Sequence, residues 1–259
     1  MKLTFLGTGT SFGVPQVGCG CAVCRSTDPR DKRNRVGALV ESGGFRLLID
    51  TPSELRLQLI AAQVDRVDAV LFTHDHADHT HGIDDVRAIS PRGTALPMYG
   101  PAETLAALQH RFPYVFEAAH TQIPGTSRPE GSAHALVVDV PVRLGPLDVT
   151  PVEVPHGHTR VFGYRVGPLA YVTDAKSLPE SALARLRGAD VLVLNALFRR
   201  SHPTHLSVGE AVATARLVGA RRTFLTHLTH ETAHADLEAE LPSDIRPAYD
   251  GLTVEIQDA

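Results

Sequence analysis

A seven-residue stretch constrains this chain more than any other: Thr73-His74-Asp75-His76-Ala77-Asp78-His79. It follows the apolar run Ala69-Val70-Leu71-Phe72, so imidazoles and carboxylates emerge together where a buried strand ends. Both groups are good ligands for divalent transition metals. His74 and His76, one residue apart, can reach one ion from an extended segment. Asp78 and His79, just beyond, point to a neighbouring position. One compact segment can thereby seed two adjacent metal sites.

The rest of the chain alternates short apolar runs with helical periodicity and glycine-rich turns. The pattern predicts strands over Leu3–Leu6, Phe45–Ile49, Ala69–Thr73, Val149–Val154, Ala170–Thr173, Val191–Leu194 and Thr223–Thr226. Helices are predicted over Ala102–Phe112, Pro179–Arg187, Val208–Val218 and Ala235–Leu241, with Pro179 in a first turn and Ser207 ahead of Val208 as start signals. Such alternation is an α/β pattern. The 259 residues show no internal repeat, low-complexity tract or linker, so one domain over 1–259 is expected. Residues 116–135 are polar and lack periodicity, which reads as a loop; a lid over a site and a plain surface insertion are both open.

Composition excludes some partners. Net charge is −4, and no run of Lys and Arg forms a stripe, which argues against gripping long nucleic acid. Met1–Gly7 lacks the length and cleavage pattern of a signal peptide, and no later apolar run could span a bilayer. A cytoplasmic protein without a membrane partner is expected. Cys19, Cys21 and Cys24 fall within six residues, a poor disulfide framework but a metal-knuckle spacing.

The His-x-His-x-Asp-His segment resembles the signature of the metallo-β-lactamase superfamily, and further motifs of that superfamily follow in order. Leu48-Ile49-Asp50-Thr51 resembles the strand and aspartate ahead of the signature. Pro155-His156-Gly157, Tyr171-Val172-Thr173-Asp174 and Phe224-Leu225-Thr226-His227 are similar to the later ones. The resemblance implies a four-layer αββα sandwich with two divalent metal ions, zinc or manganese, at one sheet edge. It implies that His74, His76 and His156 hold one ion, that Asp78, His79 and His227 hold the other, and that Asp174 lies between them. His158 competes with His156, which the spacing to Gly163-Tyr164 favours.

Three thiolates need a fourth ligand for a closed tetrahedral zinc site, and His230 in Thr226-His227-Leu228-Thr229-His230 is the candidate. With Cys19, Cys21 and Cys24 it would make one structural zinc. This combination resembles the phosphoribosyl 1,2-cyclic phosphate phosphodiesterase family, from Gly7-Thr8-Gly9-Thr10-Ser11-Phe12-Gly13-Val14-Pro15 to Tyr249-Asp250-Gly251. The resemblance implies attack of metal-bound hydroxide on a small, cyclic phosphodiester, and a homodimer. His205, in Ser201-His202-Pro203-Thr204-His205-Leu206-Ser207, is similar to that family's non-ligand catalytic histidine, a general acid for the leaving alkoxide. Asp78 is counted with His205 among the catalytic residues. One departure is Asn195-Ala196-Leu197-Phe198, more apolar than the family pattern, so the substrate can differ while the reaction class survives.

Three other readings stay open: a tRNA 3′-end processing nuclease, a hydrolase of a carboxylic ester, thioester or lactone, and a metal-binding protein without turnover. His81 and Asp84 are read as partners that orient ligands or as plain polar groups at a helix start. Arg199 and Arg200 could contact a phosphate, although paired surface arginines are commoner.

Overall fold

The computed structural model describes residues 1–90, 94–117 and 126–257. Its strands are β1 (Lys2–Gly7), β2 (Gly37–Ser42), β3 (Phe45–Ile49), β4 (Ala69–Leu71), β5 (Leu96–Gly100), β6 (Gly131–Ala135) and β7 (Val142–Leu144). They continue with β8 (Leu147–His156), β9 (Thr159–Val166), β10 (Leu169–Val172), β11 (Val191–Asn195), β12 (Arg222–Thr226), β13 (Ile245–Pro247) and β14 (Thr253–Glu255). Two seven-stranded sheets result, in the orders β14-β1-β2-β3-β4-β5-β6 and β13-β12-β11-β10-β9-β8-β7. Within each, one block is parallel: β3 to β6 in the first and β10 to β13 in the second.

The continuous apolar runs reflect strands covered on both faces. Side chains alternate along a strand, so Leu47 and Ile49 enter the core between the sheets while Leu48 faces outward. Val191 and Val193 face inward, and Leu192 and Leu194 outward, in the same way. Helices cover the outer faces. α1 (Ala22–Arg25), α2 (Leu55–Ala61), α3 (Ala77–Thr80), α4 (Ala102–Arg111) and α5 (Pro113–Phe116) belong to the first half of the chain. α6 (Glu180–Leu186), α7 (Val208–Val218) and α8 (His234–Glu240) belong to the second. Leu55 and Leu59 of α2 and Leu105 and Leu108 of α4 cluster with Leu48 and Val70, while Leu186, Ala211 and Leu237 cluster with Leu192 and Leu194. Each such Leu or Val, fully buried, contributes roughly 1.5–3 kcal/mol. The result is the expected αββα sandwich.

Most expected elements are present within a residue or two of their bounds. The exception is 116–135: Gly131–Ala135 is a strand, β6, paired with β5, so the polar stretch is not all loop. An edge strand buries little, which is why Gly-Ser-Ala-His-Ala gives no apolar alternation. The possible lid falls partly on 118–125, outside the described residues. Two contacts tie the sheets together next to the histidine-rich segment. The Tyr164 hydroxyl donates to the Phe72 carbonyl, and the Phe162 amide donates to the Thr73 carbonyl at 2.9 Å.

Candidate metal centre

Strand ends deliver the site. β4 leads into His74, β8 ends in His156, β10 leads into Asp174, and β12 is followed by His227. Three of the turns are made by non-glycine residues in the left-handed region: Asp50 (φ 61°), Asp174 (φ 58°) and His227 (φ 57°). Such conformations cost of order 1–3 kcal/mol each and persist where the surroundings over-determine them. Asp174 and His227 turn their side chains into the centre and Asp50 stands behind His79, and none of the three has a glycine's freedom to avoid the strain.

The convergence is tight. His74, His76 and His156 bring ligand atoms within 4.8 Å of one another, and so do Asp78, His79 and His227. His74 and His79 form a third such group with Asp174. The Asp174 carboxylate stands between the triads, 3.5 Å from His79 Nε2, 3.4 Å from His227 Nε2 and 3.9 Å from His156 Nε2. Two ligands at about 2.0–2.2 Å from one tetrahedral ion lie roughly 3.3–3.6 Å apart, a range the His79 and His227 contacts match and the His156 contact exceeds. His76 is exposed and marks the side from which solvent enters; His74, His79, Asp174 and His227 are buried. His158 lies exposed on the turn after β8, so His156 takes the place the two competed for.

Inner neighbours fix the rings. The Asp50 carboxylate accepts from the Thr73 amide at 2.8 Å, the Thr73 hydroxyl at 2.9 Å and His79 Nδ1 at 2.7 Å, and burial pushes its carboxyl up against these three donors. The Thr73 hydroxyl, having given its proton to Asp50, accepts from His74 Nδ1 at 3.0 Å. His156 Nδ1 donates to the Thr204 carbonyl at 3.0 Å. In each ring Nδ1 carries a proton and Nε2 turns toward the centre, the orientation a metal ligand needs.

Charge in the cluster is balanced against burial. Burial pulls His79 down, but Asp174, Asp78 and Asp50 outweigh it and hold the ring up at about 10. Burial pushes the Asp78 and Asp174 carboxyls up, yet the surrounding imidazoles keep both below the ordinary carboxylate range. Burial drives His74 well below the usual histidine range. The carboxylates thus stabilise positive charge at the centre, on the His79 ring, while burial keeps His74 neutral.

The residues fit a pair of divalent cations. His74 Nε2, His79 Nε2 and both ring nitrogens of His227 are buried without a hydrogen-bond partner among the described residues. An unpaired buried polar atom costs about 1–3 kcal/mol, and several of them aimed at one space is what a ligand set looks like.

His205 sits against the same centre. It is buried, with Nδ1 3.9 Å from Asp174 Oδ2, its ring stacked on His227 at 4.8 Å and edge-on to His156 at 4.6 Å. Burial first, and the His227 ring second, push it down to about 3.

A second cluster lies at the start of α1. His230 Nδ1 is 3.2 Å from Cys19 Sγ, 3.5 Å from Cys21 Sγ and 3.4 Å from Cys24 Sγ. The amide of Cys24 donates to Cys21 Sγ and lowers that thiol to about 6, while burial raises Cys24 to about 11. One sulfur is thus poised as thiolate at neutral pH, the form a metal binds.

Other expectations move. His81 packs its ring on Phe112 at 5.9 Å, and Asp84 pairs with Arg87 and Tyr114, so neither orients a candidate ligand. Asp50, Thr73 and the Thr204 carbonyl do that work instead. Arg199 pairs with Glu240 and Arg200 with Glu231, which gives both the paired-surface role.

Comparison with known proteins agrees with this geometry. The family described as "Beta-lactamase superfamily domain" matches residues 45–228. A crystal structure of a diphosphatase from the PhnP family is 38% identical, covers 99% of this chain and 98% of its own, and superposes with a TM-score of 0.90. An octanoyltransferase from Porphyromonas gingivalis is 38% identical over 97% of this chain, which spans 51% of that relative's length. A ribonuclease Z from Bradyrhizobium is 28% identical over 98% of this chain and 99% of its own. The sandwich, the histidine- and aspartate-bearing strand ends and these matches agree: the chain belongs to the metallo-β-lactamase superfamily of metal-dependent hydrolases, where it is PhnP-like.

Proposed function

We propose that this chain hydrolyses a compact phosphodiester, with two divalent cations, zinc or manganese, in the centre. His74, His76 and His156 would hold one cation, Asp78, His79 and His227 the other, with Asp174 shared. When bound, the pair supplies Lewis acidity, which makes a water nucleophilic near neutral pH and neutralises charge on the phosphoryl oxygens. Cys19, Cys21, Cys24 and His230 would hold a structural zinc that secures the loop before α1.

The chain's own residues then orient and move protons. Asp50 and the Thr204 carbonyl keep His79 and His156 in their inward tautomers. His205 would give a proton to the leaving oxygen. Held at about 3, it is neutral before substrate arrives. An anionic phosphodiester laid against the ring favours its protonation, so the acid forms where it is used.

The observation that carries this reading is His205 grouped with His156 and Asp174 inside 4.8 Å, a further imidazole beside two ligand triads. The 38% identity to a PhnP-family diphosphatase supports phosphorus chemistry. Arg111, Arg199 and Arg200 are each paired with a carboxylate, on Asp75, Glu240 and Glu231, which favours a small substrate over RNA. The nearly full-length match to ribonuclease Z supports the nuclease as second reading. A turnover panel of cyclic phosphates, linear diesters, diphosphates, precursor tRNA, thioesters and lactones, with zinc- and manganese-loaded protein, separates them. Hydrolysis of lactones or thioesters without any phosphorus substrate would overturn the proposal.

A further inference from the structure

We infer that Asn195 is a positioning residue that sets Asp174 and His205 together through the peptide of Ala175; the inference rests on the proposed roles of those two side chains. Asn195 is the last residue of β11 and has no solvent exposure. Its Oδ1 accepts from the Ala175 amide at 2.8 Å, and its Nδ2 donates to the Ala175 carbonyl at 3.0 Å. Both ends of the side-chain amide are engaged by one residue, and the side chain has no exposed surface to offer a substrate.

The reason lies in the strand next to it. β10 pairs in parallel with β11 as far as Val172 against Leu194. The backbone then leaves the sheet, passing through Asp174 in its left-handed conformation. Main-chain pairing with β11 stops there, and the Asn195 amide, shaped like a peptide group, takes its place at Ala175. The Ala175 carbonyl also accepts from the Leu206 amide at 2.9 Å, and the Leu206 carbonyl accepts from the Leu197 amide at 2.9 Å. Leu206 follows His205. The Lys176 amide, one residue on, donates to the Pro155 carbonyl at 2.8 Å, just ahead of His156. Residues 174–176 are therefore a hub joining the shared carboxylate, the candidate acid and one candidate ligand, and Asn195 is the side chain that holds it.

An aspartate at this position has the same shape but, when ionised, only accepts. It would keep the bond to the Ala175 amide, set a second acceptor against the Ala175 carbonyl, and place negative charge near Asp174. Protonated, it regains a donor and reproduces the amide. The test is therefore the Asn195→Asp variant, read in three ways on the metal-loaded protein. Retention of zinc or manganese against a chelator should fall about 10–100-fold. The loss of kcat should be larger for a diester with an alkyl leaving group than for one with a 4-nitrophenyl leaving group, which needs no proton, while KM changes little. Activity relative to the unsubstituted protein should rise as pH is lowered and the new carboxyl protonates.

His205→Ala in the same leaving-group series tests the general-acid role alone. Absence of an alkyl-selective loss there overturns that role and the His205 half of the inference; chelator resistance of Asn195→Asp still decides the Asp174 half. A folded Asn195→Asp protein with unchanged metal retention, unchanged leaving-group dependence and no recovery at low pH overturns the inference, whatever His205→Ala shows.

Discussion

His79 Nδ1 lies 2.7 Å from an Asp50 carboxylate oxygen, and neither side chain has any solvent exposure. Asp50 touches none of the space the ligands face, yet it orients His79 directly and His74 through the Thr73 hydroxyl. Partners of this kind are worth about 10–100-fold in metal affinity or activity. Asp50→Ala should lose bound metal by that factor, measured as metal per chain after dialysis against a buffered chelator. Full metal content in the variant would mean the rings are held by packing alone.

The cysteine cluster makes a separate claim. Cys21→Ser should remove about one metal per chain and lower the thermal midpoint, because binding free energy at a structural site is folding free energy. The candidate catalytic ligands come from strand ends of both sheets, so turnover per remaining active-site metal should survive. Elemental analysis of the variant decides it, and unchanged metal content would dispose of the structural zinc.

Part of the candidate ligand set is legible because it closes an apolar run, where a buried strand meets solvent and a polar residue must have a reason to be there. His74, Asp174 and His227 all stand out in that way. The same logic marks Asn195 after Val191-Leu192-Val193-Leu194, but its use does not show, since the partner is a backbone 20 residues away that turns only because Asp174 is left-handed. The role of Thr204 is equally hidden, because it acts through a carbonyl that every residue has. β6 was missed for want of an apolar face, and β9 escaped because exposed Arg160 and half-buried Arg165 break up an otherwise buried run.

Acid stability should carry the mark of His234. This ring is 1% exposed, and its Nδ1 lies 3.3 Å from Nη2 of Arg33. A guanidinium only donates, so Nδ1 accepts and the folded ring is neutral. Burial, then Arg33 and Arg30, hold it down to about 4. A folded value below the unfolded value of about 6.5 means the folded protein binds fewer protons in that window. The contribution is complete above about pH 6.5 and is lost as pH falls toward 4. Asp250, raised to about 6 by burial, works the other way: its contribution is complete below about pH 4 and is lost as pH rises through 6. The difference between two proteins isolates the histidine. His234→Asn keeps an acceptor for Arg33 and should lose less stability between pH 7 and pH 5 than the unsubstituted chain, measured by urea unfolding. Equal losses would show that His234 does not titrate in this range.

Tyr164 tests whether the two sheets are joined at the site or merely packed beside it. Its ring is fully buried between the sheets, and burial raises its hydroxyl well above the usual tyrosine range, so it stays a neutral donor. That donor goes to the Phe72 carbonyl, two residues before His74. Tyr164→Phe keeps the ring packing and removes the donor alone, which should cost about 1–3 kcal/mol because a buried acceptor loses a partner. Thr73 would still be held by Asp50 and by the Phe162 amide, so His74 should keep its aim and turnover should stay within a few-fold. Denaturant unfolding and steady-state rates on the same preparation separate the two effects. A variant of unchanged stability but collapsed turnover would mean that the hydroxyl positions the histidine segment rather than bracing the sandwich.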